Sequence, residues 1–183
     1  MTGGRAAVFL DRDGVLNKRP PEHEYVTSAD SLELLPGVAG AVSSLQGTGY
    51  LPIVVSNQRG VARGLVSEQT LREIERRLFE AGVPIAAFYY CRHDTSAGCD
   101  CRKPRPGLLL EAAADYELDL GGSVLIGDEE TDIAAGRSAG CRTIRIGVEG
   151  PTAADELARD LPAAAAIVAR RWPRHAAGQA ILP

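Results

Sequence analysis

Short apolar runs and polar breaks alternate along the chain at the spacing of strands separated by helices. Residues 6–10 read Ala-Ala-Val-Phe-Leu, an unbroken run that suits a strand buried on both faces of a parallel sheet. Similar runs at 50–55, 85–90, 123–126 and 142–146 predict four more strands. Helical spacing fills the gaps between them. A helix is expected over about 36–46, with Val38, Val42 and Leu45 on one face and Gly47-Thr48-Gly49 closing it. A second starts at Ser67, carries Leu71, Ile74, Leu78 and Phe79, and ends before Gly82. A third opens at Pro106-Gly107 and is carried by Leu108, Leu109, Leu110, Ala113 and Tyr116. A fourth covers 131–139 and stops at Gly140. Further on, 155–160 predicts a helical turn and 165–169 a last edge strand.

Two stretches break the rhythm. Residues 15–30 have no period and contain Pro20 and Pro21, which predicts a turn and a small hairpin or flap beside the first strand's end. Residues 172–183 are rich in Pro, Gly and Ala and are expected to be loose, leaving a single domain over 1–171. The predicted fold class is α/β, a doubly wound parallel sheet with right-handed crossovers.

Composition narrows the function classes. The 183 residues suit one compact domain, and a net charge of -4 without long runs of one sign excludes nucleic acid as the main partner. No stretch reaches the roughly 18 uninterrupted apolar residues of a membrane span. Residues 1–5 hold no apolar signal-peptide core, so a cytoplasmic location is expected, and a monomer is the expected state. Cysteines in that compartment are thiols or metal ligands rather than disulfides.

The strand ends carry the chemistry. The first run is followed by Asp11-Arg12-Asp13-Gly14. Alone, such a pair is a catalytic site, a solvated strand end or a helix cap. The second run leads into Ser56 and Asn57, the third into a loop ending at Arg102 and Lys103, and the fourth into Asp128 and Asp132. In open α/β sheets ligands bind at the strands' carboxyl ends. Gathering Asp11, Asp13 and Asp128 there requires a cation, and an all-oxygen set selects a hard one such as Mg²⁺. Ser56, Asn57 and Lys103 supply a hydroxyl, an amide and an ammonium, donors suited to phosphate oxygens. Together these groups specify phosphoryl transfer, with one Asp as nucleophile and the other as acid/base.

A second cluster precedes Lys103. Cys91-x-His93 and Cys99-x-Cys101 offer three thiols and an imidazole in a loop almost without apolar residues. A tetrahedral structural Zn²⁺ site explains them; loose surface cysteines or a disulfide are the alternatives. Zinc would brace a loop that runs directly into Arg102 and Lys103, positioning those residues rather than doing chemistry.

Asp11-x-Asp13-Gly14, Ser56-Asn57, Lys103-Pro104 and Gly127-Asp128-x-x-x-Asp132, in that order, resemble the four motifs of the haloacid dehalogenase superfamily of aspartate-nucleophile phosphatases. The resemblance implies that Asp11 attacks phosphorus and that Asp13 protonates the leaving alkoxide and later activates water. It implies that Ser56 and Lys103 hold the phosphoryl group. Mg²⁺ would be held by Asp11, the Asp13 backbone carbonyl and Asp128, with Asp132 orienting the Mg²⁺ shell or Lys103. It also implies an open site with a small flap and no large cap domain. The zinc loop narrows the likeness to two families, the D-glycero-D-manno-heptose 1,7-bisphosphate phosphatases and the histidinol-phosphate phosphatases. Asn57-Gln58-Arg59-Gly60-Val61-Ala62-Arg63-Gly64, His23-Glu24-Tyr25-Val26 and Cys101-Arg102-Lys103-Pro104-Arg105-Pro106-Gly107 look like the former. By that likeness Arg63 and Arg102 reach the second phosphate of a small phosphorylated sugar. The short spacer from His93 to Cys99 is shared with many histidinol-phosphate enzymes, and Glu129 stands where both families commonly carry a basic residue. Outside catalysis, a non-catalytic phosphosugar-binding protein on this fold is the alternative.

The remaining polar residues receive simpler expectations. Cys141 is expected in the core. His23 is expected on the flap surface, and His175 in the tail is assigned nothing. Arg59 and Arg105 are expected to flank the site and tune its field, Asp94 and Asp100 to serve as turn residues, and Tyr89 and Tyr90 to pack.

Overall fold

The computed structural model describes residues 4–147 and 150–174. Its strands are β1 (Ala6–Leu10), β2 (Tyr50–Asn57), β3 (Ala87–Cys91), β4 (Val124–Gly127), β5 (Arg142–Ile146) and β6 (Glu156–Ala158). They form one all-parallel sheet in the order β3-β2-β1-β4-β5-β6. The helices are α1 (Val38–Gly47), α2 (Arg59–Ala62), α3 (Glu68–Glu80), α4 (Gly107–Tyr116), α5 (Glu130–Ser138) and α6 (Leu161–Arg171).

β1 lies where the winding reverses. The chain proceeds outward through β2 and β3 on one side, then returns to β4 and proceeds through β5 and β6 on the other. Crossovers leaving in opposite directions open a crevice at the strands' carboxyl ends. β1 is pinned there by alternation. Ala6, Val8 and Leu10 face a core shared with Val42 and Leu45 of α1, Ile74 and Leu78 of α3, and Val168 of α6. Ala7 and Phe9 face the other core, with Leu108 and Leu109 of α4 and Ala135 of α5. Phe9 and Leu10 are fully buried, and each such side chain contributes about 1.5–3 kcal/mol by leaving water. The residue that follows Leu10, Asp11, is therefore held in a fixed place.

Several sequence expectations shift. The last edge strand is not 165–169 but β6, within the stretch expected to form a helical turn. Residues 165–169 lie inside α6. The physical reason is legible afterwards: the Asp160 side chain accepts from Ala163 N at 2.8 Å, Pro162 sits in the first turn, and Leu161, Ala164, Ala165 and Val168 follow helical spacing. The polar segment after Asn57 contains the short α2. The flap holds a 3-10 turn at Ala29–Ser31 and isolated bridges from Asn17 to Asp13 and Leu34, not a hairpin. Residues 172–174 of the expected loose tail are anchored: Tyr50 Oη donates to the Trp172 carbonyl at 2.9 Å, and Arg174 bonds Gly4 O and Asp119. Residues 175–183, His175 among them, and the leader question posed by residues 1–3 lie outside the described residues. No described helix is long and apolar enough to cross a membrane.

Candidate active site

Three strand ends build the floor. Asp11 leaves β1 with its N–H donating to Ile126 O of β4 at 3.1 Å. Ser56, near the end of β2, donates through Oγ to Asp11 Oδ1 at 2.7 Å. Lys103 Nζ lies 2.9 Å from the same oxygen and 2.5 Å from Asp132 Oδ1, and also donates to Val55 O at 2.9 Å. Asp11, Ser56, Lys103 and Asp132 are all buried. A charged set removed from water persists only when each charge is paired and hydrogen-bonded, and here each one is. Burial pushes the Asp11 carboxyl up to about 6, a rise that Lys103 opposes and that Asp132 and Asp13 reinforce. Burial also works against the Lys103 charge, but Asp11 and Asp132 outweigh it and hold the ammonium more firmly protonated than an ordinary lysine.

Asp13 sits in a different environment. Its Oδ1 accepts from Arg12 Nε at 3.2 Å, Arg12 Nη2 at 2.9 Å and Asn17 Nδ2 at 2.9 Å. Its Oδ2 accepts from Arg12 Nη2 at 2.9 Å and Gln58 Nε2 at 3.0 Å. Burial alone would raise this carboxyl; the Arg12 guanidinium and the two amides overcome it and bring the group below its ordinary value. Two carboxyls two residues apart are thus driven in opposite directions.

Asp128 follows β4 and faces the turn at Gly14. A Cβ on Gly14 would stand 1.9 Å from Asp128 Oδ2, and φ there is +89°, so only glycine fits this turn. One carboxylate oxygen from each of Asp11, Asp128 and Asp132 lies within 4.8 Å of the others. Asp132 is fully buried, with Lys103 on Oδ1 and the Glu129 N–H on Oδ2 at 3.1 Å, whereas the partner on Asp128 is the half-exposed Arg19 of the flap. Asp11 and Asp128 remain as the carboxylates suited to a hard divalent cation. Burial raises the Asp128 carboxyl despite the opposing pull of Arg19.

The cysteine cluster assembles as the spacing predicts. Cys91 Sγ lies 3.6 Å from Cys99 Sγ and 3.8 Å from His93 Nδ1, Cys101 Sγ 3.5 Å from Cys99 Sγ and 3.2 Å from His93 Nδ1. Tetrahedral zinc with bonds of about 2.3 Å to sulfur and 2.0–2.1 Å to nitrogen sets ligand separations of roughly 3.5–3.8 Å. All the cysteines are free, so no disulfide competes. Burial and the neighbouring thiols push Cys101 up to about 12. Three thiols this close do not ionise together without a cation between them. Cys141 is buried in the core and is not among the four residues that converge.

Over the floor opens a cavity of about 350 Å³, walled by the flap, the start of α2 and the Arg102-Lys103 turn. Arg102 lines it, and its buried Nη1 has no hydrogen-bond partner. Asn57 lines it too, but its amide grips the Lys103 backbone, donating to O and accepting from N at 3.1 Å each. Arg63 is not on the wall; it stands at the end of α2 with Nε 3.6 Å from Asp94 Oδ2. Arg59 is on the wall, with Nε and Nη2 at 3.0 and 3.1 Å from the Asp94 carboxylate. Asp94 is thus more than a turn residue: it links the cysteine loop to α2. Arg105 braces that loop by donating to Cys99 O at 2.9 Å.

Sequence reasoning missed Arg12, Asn17, Gln58 and Arg19 as members of the site, and noted Glu129 only as a departure from the two families' basic residue. Arg12, Asn17 and Gln58 lie inside or beside the motifs, so their position was a signal. An arginine is usually a surface residue, yet Arg12 is 1% exposed. Arg19 and Glu129 meet only through folding, and no spacing rule reports that.

Comparisons with known proteins place the fold and the chain as a whole. Residues 100–171 match the family model described as "HAD-hyrolase-like". A D-glycero-beta-D-manno-heptose-1,7-bisphosphate 7-phosphatase of Haemophilus ducreyi is 38% identical over 151 residues, covering 76% of this chain and 81% of that protein. A D-glycero-D-manno-heptose-1,7-bisphosphate 7-phosphatase of Thermosynechococcus vestitus is 40% identical over 157 residues, covering 78% and 79%. Among solved structures, the D,D-heptose 1,7-bisphosphate phosphatase of B. bronchiseptica, complexed with magnesium and phosphate, superposes with a TM-score of 0.82. Its identity is 31%, and the match covers 89% of this chain and 97% of that one.

Proposed function

The chain belongs to the heptose-1,7-bisphosphate 7-phosphatase family of HAD-like hydrolases and is a phosphoric monoester hydrolase; from that premise we propose that it removes the C7 phosphate of D-glycero-D-manno-heptose 1,7-bisphosphate, leaving the 1-phosphate. The observation that carries the reading is the buried chain Ser56–Asp11–Lys103–Asp132, a carboxylate nucleophile flanked by two phosphate-binding donors. Asp11 Oδ attacks phosphorus, the ester P–O bond breaks, and an aspartyl-phosphate forms. Ser56 and Lys103 hold the phosphoryl oxygens, and Asp132 keeps Lys103 aimed. Once freed from Arg12, Asn17 and Gln58, which hold its carboxyl low, Asp13 would take up a proton from solvent and give it to the departing alkoxide, then take one from the water that releases phosphate.

The carboxylates of Asp11 and Asp128, with the Asp13 backbone carbonyl, would hold Mg²⁺, which supplies positive charge against the transferring phosphoryl group. Cys91, His93, Cys99 and Cys101 would hold a structural Zn²⁺ that fixes the loop entering Arg102 and Lys103. Arg102 and Arg59, at the cavity wall, would meet the second phosphate; Arg63, tied to the same Asp94, supports Arg59. The enzyme acts as a monomer on this small anion in the cytoplasm, where the thiols stay reduced.

Purified protein would be assayed for phosphate release from the heptose bisphosphate and from histidinol phosphate side by side. Preference for the bisphosphate is expected. Faster turnover of histidinol phosphate would replace the proposed substrate.

A further inference from the structure

Arg19, in the flap, reaches across the cavity to the end of β4. Its Nε donates to Asp128 Oδ2 at 2.9 Å and its Nη2 to Asp128 Oδ1 at 2.7 Å, while Nη1 pairs with Glu129. The fork thus covers both oxygens of a carboxylate that the cation also needs. Bidentate arginine–carboxylate pairs are among the stronger polar contacts, and a guanidinium stays charged at every working pH. Two positive groups do not share those oxygens without strong repulsion at such distances. When a divalent cation takes Asp128, Arg19 must give it up.

Arg19 need not leave the cavity when it does. Glu129 is outside the set of carboxylates that converge for a metal, so it remains as a tether. The Arg19 side chain is 41% exposed and lines the cavity, so it has room to turn. We infer that Arg19 is an exchangeable counter-ion: it neutralises Asp128 before the cation binds, then swings on Glu129 to grip an anionic group of the substrate remote from the scissile ester. It is a specificity-determining residue, and Glu129 positions it. This rests on Asp128 being a cation ligand, as proposed above, and on a substrate with a second anionic group.

The test compares wild type with Arg19→Gln, using Mn²⁺ in place of Mg²⁺ and reading free Mn²⁺ by its paramagnetic resonance signal, with no substrate present. Loss of the competing charge should tighten Mn²⁺ binding about tenfold. Unchanged or weaker binding would overturn the exchange. Thermal unfolding in chelator should drop for Arg19→Gln, while the metal-saturated proteins should unfold together; equal unfolding in chelator would contradict the counter-ion role. The KM for the bisphosphate should rise about tenfold, whereas the KM for p-nitrophenyl phosphate should move less than twofold. Equal rises for both would overturn the grip on a remote anion. Mn²⁺ binding that survives Asp128→Asn undiminished would overturn the cation site and the exchange with it. If neither protein hydrolyses the bisphosphate, the substrate proposal fails, and the grip with it, while the Mn²⁺ titration still decides the exchange.

Discussion

The floor and the rim of the cavity are built on different terms. On the floor, Asp11, Ser56, Lys103 and Asp132 are buried and paired with one another, two from strand ends and two from the turn before α4 and the first turn of α5. On the rim, Arg19, Arg59 and Arg102 belong to a flap, a short helix and a turn; Arg19 and Arg59 face carboxylates that can be exchanged, and Arg102 keeps a buried Nη1 without a partner. Buried ion pairs tolerate little change because a lost partner leaves an uncompensated charge. Rim pairs are screened and individually worth less. The floor is accordingly suited to one reaction, and the rim to choosing which ester enters.

The largest expected effect falls on the floor. Asp11→Asn keeps the shape but removes the nucleophile, so kcat should fall by at least about 10³-fold. Near-normal turnover in a steady-state assay would break the distinction between floor and rim at its centre. Lys103→Met should lower kcat by about 10²-fold and also destabilise the fold by about 3–5 kcal/mol, since Asp11 and Asp132 lose the charge between them. Chemical denaturation and kinetics on the same preparation check both numbers.

The cysteine loop sits between the two regions. Cys101→Ser should lower bound zinc, measured by elemental analysis, and lower the melting temperature by several degrees. Its kinetic cost should reach both Lys103 and the rim, because Asp94 ties the loop to Arg59. Zinc below about half an equivalent in wild-type protein purified without chelator would remove this bridge between floor and rim.

Rim substitutions should be milder. Arg102→Ala is expected to raise KM for the bisphosphate about tenfold, a loss of ~1.4 kcal/mol, with a smaller change in kcat. A loss confined to kcat would place Arg102 with the floor instead.

The smallest effect is on stability, and its sign separates the regions cleanly. Asp11 in the metal-free protein has its carboxyl raised to about 6 from 3.8. Between those values the folded state binds the proton more tightly than the unfolded chain, so this group's stabilisation is present at low pH and lost as pH rises through about 6. In chelator, Asp11→Asn should therefore be more stable than wild type at neutral pH, on the order of 1 kcal/mol, with the gap closing near pH 4. Exposed rim carboxylates should give no such gain when neutralised. Urea titrations at two pH values measure it.

The same division explains what could be read from the chain. The floor was legible because strand order and strand ends follow from apolar runs, and Asp11, Ser56, Lys103 and Asp128 each follow such a run. The cysteine cluster was legible because its ligands are close in sequence. The rim was not. By resemblance Arg63 was expected to reach the second phosphate; the fold puts Arg59 on the cavity wall and Arg63 at the end of α2. The partnership of Arg19 with Asp128 joins positions far apart in the chain, and only the folded flap sets it. β6 and α6 were exchanged because an alanine-rich apolar run of five reads equally as a buried strand, and the Asp160 cap with Pro162 behind it decides for helix.

The central claim is that Asp11 carries the phosphoryl group. The direct measurement uses Asp13→Asn, which should slow release of the intermediate, with a labelled phosphate ester, rapid acid quench and peptide mass spectrometry. One phosphoryl group on the peptide containing Asp11, formed as fast as the alcohol is released, is the expected result. Alcohol released without any phosphorylated peptide, or a phosphoryl group on another residue, would contradict it.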